Sequence, residues 1–315
     1  MLLKSERDLP DLRNRVSTYI QNANAENTLR AYRSDWSMFV NWCVTYGKNA
    51  IPADEETIVL YISTLAGEGK CMSTITRRLT SISLAHQTAG HPSPTLGATV
   101  RTVWRGIRKT HGVAAKGKDP ILVEDLREMV RHLPDNLAGY RDRAILLLGF
   151  AGAFRRSELV GIDVEDATFT RDGLVVFIRR SKTDQEGQGR RVGIPFGTRR
   201  ETCPVQAVQK WLKESQIVSG PLFRKVNRYG NVEENRLCDR TVALIVKRAA
   251  ESAGFDGNRF AGHSLRSGLA TSAAAAGASE RTIMAQTGHK SVEVVRRYIR
   301  EGNLFRENAV TFTGL

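Results

Sequence analysis

The residues of this chain that could do chemistry together are few, and their order is specific. Between Gly262 and Arg300 it reads Gly262-His263-Ser264-Leu265-Arg266-Ser267-Gly268, later Gly288-His289-Lys290-Ser291, then Arg296-Arg297-Tyr298-Ile299-Arg300. Histidine moves protons near neutral pH, arginine grips phosphate as a planar fork, and a tyrosine hydroxyl can act as a covalent nucleophile. Together they point to phosphoryl transfer without a metal. Two upstream pieces belong beside them. In Arg155-Arg156-Ser157-Glu158-Leu159 an arginine opens a helix and an acid follows three residues on, and Arg180-Ser181-Lys182-Thr183-Asp184 puts a lysine at a β-hairpin turn. Each piece alone is weak, since an isolated HxxR is mostly accidental and a hairpin lysine is usually solvated. Their joint presence in this order is far more specific.

These groups need elements to carry them. After Pro120, apolar spacing predicts helices at about 123–132 and 139–152, then a short one over Ser157–Val160. The period then changes to that of strands over 164–170, 174–179 and 191–196. These runs are joined by Arg171-Asp172-Gly173 and by Lys182 to Gly189, and read as a three-stranded antiparallel sheet. Helices resume at 204–215, 239–253, 265–276, 280–286 and 292–299. The alanine run Ala273 to Ala276 reads as a close-packed helix stopped by Gly277.

The first third is all helical. Asn27-Thr28 precedes an apolar stripe of Leu29, Tyr32, Trp36, Phe39, Val40 and Cys43. Asp54 caps a second helix carrying Ile58, Leu60, Tyr61, Ile62 and Leu65, ended by Gly67 and Gly69. Ser73 caps a third with Ile75, Leu79, Ile82 and Ala85 inward, and a fourth runs from about Thr95 to Lys109. Arg77 and Arg78 flank the third stripe. Arg101, Arg105 and Arg108 share one helical face with Lys109 beside it. Such a stripe can track a phosphate backbone, although a solvated basic face has the same pattern. Residues 111–120 have linker composition, so the division expected is a helical domain over 1–112, a linker over 113–120 and a second domain over 121–315.

The 315 residues allow two separate cores, and a hydrophobic fraction of 41% marks a globular chain rather than a disordered one. Lys+Arg 47 against Asp+Glu 33 gives a net charge of +14, with pI ≈ 10.0. That excess favours a polyanionic partner, nucleic acid first. Cys43, Cys71, Cys203 and Cys238 are scattered without zinc spacing, so reduced thiols and a cytoplasmic setting are expected. No apolar run is long enough to cross a membrane. No Walker, HExxH or EF-hand motif occurs, and neither a cofactor nor a metal is expected.

The constellation resembles the tyrosine recombinases, also called the phage integrase family. The Arg155 segment looks like the family's Gly-Leu-Arg-x-Ser-Glu-Leu box, and Lys182 like its β-hairpin lysine. His263 and Arg266 match its HxxR, His289 its second histidine and Tyr298 its nucleophile. Ala153-Phe154 stands where Gly-Leu is usual, and Val295 where a threonine often precedes the tyrosine. The likeness covers roughly 120–300, and the N-terminal helices resemble the family's core-binding domain. It implies a mainly α fold with a small antiparallel β-sheet in the catalytic domain, the two domains forming a C-shaped DNA clamp, most similar to Cre-like members. It also implies strand cleavage by Tyr298 through a 3′-phosphotyrosyl intermediate and a Holliday junction. Arg155 and Arg266 would clamp the phosphate, His263 would act as base, Lys182 as acid, His289 as hydrogen-bond partner and Glu158 as support. The implied partners are double-stranded DNA with inverted repeats and three further copies of the chain in a tetramer, coupled by the tail carrying Leu304, Phe305, Val310 and Phe312. A type IB topoisomerase shares this chemistry. A regulator that keeps only the fold would have lost catalytic residues, and an architectural protein would leave the constellation unexplained.

Overall fold

The computed structural model describes residues 26–112, 117–181, 184, 187–302, 310 and 313. The chain divides into two compact units, Met1–Lys116 and Gly117–Leu315. The division falls inside the 113–120 stretch, and its last residues are held by the second unit. Lys118 Nζ donates to the Asn258 carbonyl at 2.5 Å, and the Asp119 and Ile121 N–H groups donate to the carbonyls of Arg259 and Ser264.

The first unit contains α1 (Glu26–Thr45), α2 (Glu55–Gly67), α3 (Met72–Thr88) and α4 (Ala98–His111). Their apolar stripes close on one core that includes Phe39, Ile58, Ile62, Ile75, Ile82 and Val100. Such burial contributes roughly 25 cal/mol per Å² of apolar surface removed from water. Asp54 caps α2, accepting the Thr57 N–H at 2.8 Å. Other helix starts differ from expectation. Asn27 and Thr28 lie within α1. Cys71, not Ser73, precedes α3, and Ser73 sits inside its first turn. Pro94–Leu96 forms a separate 3₁₀ turn, so α4 begins only at Ala98; proline fixes its own φ there and Ser93 Oγ caps the turn. Leu60 faces outward, 42% exposed.

Arg77 and Arg78 are engaged in the fold. Buried Asp35 of α1 receives Arg77 Nε at 2.6 Å and Nη2 at 3.1 Å. Arg78 Nε lies 3.7 Å from the same carboxylate, and Arg78 Nη1 donates to Tyr61 Oη at 3.0 Å. The Arg78 side chain is only 11% exposed: a carboxylate buried between helices needs a charged partner, and Arg78 is one. Arg77 remains half exposed.

The second unit contains α5 (Val123–Arg131), α6 (Leu137–Ala151), α7 (Arg156–Gly161), β1 (Ala167–Thr170), β2 (Gly173–Ile178), β3 (Arg190–Pro195), α8 (Pro204–Ser215), β4 (Arg224–Val226), β5 (Val232–Arg236), α9 (Asp239–Ser252), α10 (His263–Ala275), α11 (Glu280–Thr287) and α12 (Val292–Gly302). The antiparallel sheet has the order β1-β2-β3, with Val176 opposite both Ala167 and Val192. Residues 164–166 form a 3₁₀ turn rather than the start of β1. The hairpin β4–β5 was not foreseen; its strands are short and polar and lack an alternating apolar face. From Ala144 to Phe150 helix α6 is apolar and buried all round, because α7, α8, α9 and α10 pack against it. It is the axis of a core that also holds Trp211, Phe223 and Leu265. Helix α12 packs on α10 and α11; Val295 is buried with Ala270, Ala274 and Ile283, and Tyr298 lies at the edge of that cluster.

Candidate active site

The site forms where three helix termini meet. At the first, α6 ends and the chain turns sharply through Gly152-Ala153-Phe154 into α7. Ala153 takes φ 47, a left-handed conformation that costs an L-residue about 1–2 kcal/mol. The turn aims the Ala153 carbonyl at Arg266, whose Nη1 donates to it at 2.6 Å. Glycine would adopt this backbone freely, and here alanine holds it. Arg155 then precedes α7. Its N–H donates to Glu158 Oε2 at 3.0 Å, and its guanidinium pairs with Glu158 Oε1. One buried carboxylate thus fixes Arg155 at both backbone and side chain.

At the second terminus, α10 begins with His263. Arg266 lies three residues on, at the same face of the helix, and is 1% exposed. Among the described residues its buried Nη2 has no hydrogen-bond partner. Desolvation, with Arg155 nearby, lowers the Arg266 pKa to about 10, so the group remains a cation at neutral pH. His263 Nε2 lies 3.2 Å from Tyr298 Oη. The ring keeps an exposed edge; desolvation of the remainder, then Arg266, Arg155 and Arg156, hold it below the ordinary imidazole range.

At the third, α11 ends on Gly288 at φ 65, the left-handed stop that releases His289 toward the cluster. His289 Nδ1 is 2.7 Å from Thr287 Oγ1, which leaves Nε2 as the outward ring nitrogen. Its pKa is lowered to about 4 by desolvation and then by Arg266, Arg155, His263 and Arg190. The His289 and Tyr298 ring centroids are 6.0 Å apart. Gln286 ties this end of α11 down, donating to the Ala151 carbonyl at 2.7 Å.

Arg155, Glu158, His263, Arg266, His289 and Tyr298 therefore converge in one place. Lys182 lies outside the described residues. Its hairpin is represented by Asp184, whose carboxylate accepts the N–H groups of Gln188 at 3.2 Å and Gly189 at 2.8 Å. Arg101, Arg105, Arg108 and Lys109 are exposed on α4 in the other unit. Arg190 and Thr287 are in the cluster without having been singled out. Among the described residues, no group of three or more His, Cys, Asp and Glu side chains is arranged to hold a metal, and no helix is long and apolar enough to cross a membrane.

Residues 121–303 match the phage integrase family. Over 295 residues the chain is 46% identical to an integrase/recombinase xerD homolog of Selenomonas ruminantium, covering 92% of this chain and 86% of that protein. It is 26% identical to the recombinase cre of Escherichia phage P1 over 299 residues, covering 89% and 85%. Among solved structures, the Tn1549 transposon integrase in complex with transposon right end DNA aligns with a TM-score of 0.64 at 15% identity, covering 90% of this chain and 92% of that one. The chain belongs to the phage integrase family, the tyrosine recombinases. It is an enzyme of site-specific DNA recombination.

Proposed function

We propose that the clustered residues cut and rejoin duplex DNA through a covalent tyrosine intermediate. The observation that carries this reading is the 3.2 Å approach of His263 Nε2 to Tyr298 Oη, beside an arginine pair whose buried Arg266 Nη2 has no hydrogen-bond partner among the described residues. His263, neutral at pH 7, takes the phenol proton as the Tyr298 oxygen attacks phosphorus. The P–O5′ bond breaks, the 3′-phosphate remains on Tyr298, and the 5′-oxygen leaves with a proton supplied by Lys182. Arg155, Arg266 and His289 meet the charge that grows on the non-bridging oxygens. A 5′-hydroxyl from a partner strand reverses the step. The bond energy stays in the phosphotyrosine, so the step needs neither ATP nor a metal.

On this reading the exposed stripe Arg101, Arg105, Arg108 and Lys109 follows the phosphate backbone, with the outer half of Arg77. The enzyme acts in the cytoplasm as a tetramer on two sites, each with inverted repeats. An apolar groove of about 600 Å³ in the second unit, lined by Leu126, Leu147, Phe150, Phe196, Leu269 and Ile283, is the acceptor for a neighbour's tail. Leu304, Phe305 and Phe312 of that tail lie outside the described residues, and Val310 is exposed.

Selection of bound duplexes from random DNA gives the target. A nicked version of the recovered duplex then traps the covalent complex on a denaturing gel. A wild-type chain that binds this duplex and never becomes linked to it overturns the reading.

A further inference from the structure

Arg190 is the first residue of β3, directly after the hairpin that carries Lys182. Strand alternation turns it inward on the face of buried Val192 and Ile194. There it touches two of the three termini that build the site. Its Nη2 lies 3.7 Å from Glu158 Oε2, behind the carboxylate that holds Arg155. Its Nη1 donates to the Gln286 carbonyl at 3.1 Å, near the end of α11. A Cβ on Gly288 would come within 3.0 Å of the Arg190 guanidinium carbon, so the turn that releases His289 is closed directly over this side chain. The Asp184 carboxylate, gathering the N–H groups of Gln188 and Gly189, fixes the backbone immediately before it.

We propose that Arg190 is a positioning residue for strand cleavage, locking the hairpin strand, the Glu158–Arg155 pair and the His289 turn into one register. The charge balance supports this. Arg155 and Arg190 both lie within ion-pair distance of Glu158, and Arg266 adds a third guanidinium, so among the described residues of the cluster cations outnumber carboxylates. A phosphodiester brings one negative charge, and the five-coordinate species on the path to cleavage brings a second. Removing Arg190 lowers that excess and frees both the carboxylate and the turn. Desolvation is what lowers the Arg190 pKa first, as befits a cation held by the fold rather than by water.

The inference rests on the recombinase reading, and the test separates them. The full chain, R190Q and R190K are mixed with the nicked duplex recovered by selection, and covalent complex formation is timed over a range of DNA concentrations up to saturation. Wild-type chain forming no complex overturns the recombinase reading itself. With wild type active, R190Q should react at least ten-fold more slowly at an unchanged half-saturating DNA concentration, with R190K, which keeps the charge and loses the planar fork, in between. A residue that merely supported the fold would lose DNA affinity and melting temperature together with rate. R190Q within two-fold of wild type, or a slower R190Q whose half-saturating DNA concentration rises in step, overturns the proposal. Should R190Q melt at the assay temperature, R190K decides: a reduced rate at an unchanged half-saturating concentration supports it, and wild-type behaviour or a raised half-saturating concentration overturns it.

Discussion

At the scale of single residues, the site is a cation cluster kept ready for an anion, and its chemistry follows from which groups can change charge. Tyr298→Phe removes only a hydroxyl at the edge of a packed cluster. It should leave DNA affinity within two-fold and abolish the covalent complex; DNA-linked protein persisting on a denaturing gel would contradict the assignment. The pH dependence has a definite sign. His263 must be neutral to accept a proton, and its pKa is pushed below the ordinary value of ~6.5. Cleavage should therefore hold level from pH 8 down through 7 and fall only below about 6.5, measured in a single turnover. The same depression makes a stability statement. Below the unfolded value the unfolded chain takes up protons that folded His263 and His289 resist, so the melting temperature should drop as pH falls from 6.5 toward 4. Ala153 is the residue where the chain accepts strain to aim a carbonyl. Ala153→Gly should change stability by no more than about 1 kcal/mol, because relief of the left-handed backbone offsets the greater freedom of unfolded glycine. Calorimetric melting checks it.

At the scale of elements, the Asp35 joint in the first unit offers the clearest test of what is fold and what is DNA surface. Asp35→Ala leaves Arg78, its side chain 11% exposed, without its carboxylate and should destabilise that unit by roughly 3 kcal/mol, read from denaturant unfolding. The sequence made the helical stripes legible because apolar spacing survives in Phe39, Ile58, Ile75 and Ile82 whatever the neighbours do. It made the site legible because histidine, arginine and tyrosine stand at separations that helices α7, α10 and α12 could bring together. What escaped was decided by tertiary partners. Arg78 looks like a surface cation until Asp35 is known to be buried beside it. Ser73 is a good capping residue, but the chain enters α3 two residues earlier, at Cys71. Arg190 was missed by one residue of strand register, since counting the strand from Arg191 turns attention to the outward face. The hairpin β4–β5 has almost no apolar alternation to betray it.

At the scale of the whole molecule, the +14 net charge must be separated into charge that serves the fold and charge that meets DNA. Arg77, Arg78, Arg155 and Arg190 each sit within ion-pair distance of a carboxylate. Arg101, Arg105, Arg108 and Lys109 are exposed along α4, away from the buried Val100 and Ile107, so their substitution should leave the core intact. If each neutralises one phosphate, each releases about 0.9 of a counterion on binding. Replacing all four with alanine should then lower the slope of log affinity against log salt by about 3.6. The melting curve should stay at its wild-type position, and covalent cleavage at saturating DNA should keep its wild-type rate, because no residue of the tyrosine site has changed. Arg78→Ala should show the opposite pattern, with a lower melting temperature and a slope unchanged within error. Titrations between 50 and 200 mM salt distinguish the two outcomes, and an unchanged slope in the quadruple variant would mean that the duplex lies on another face of this unit.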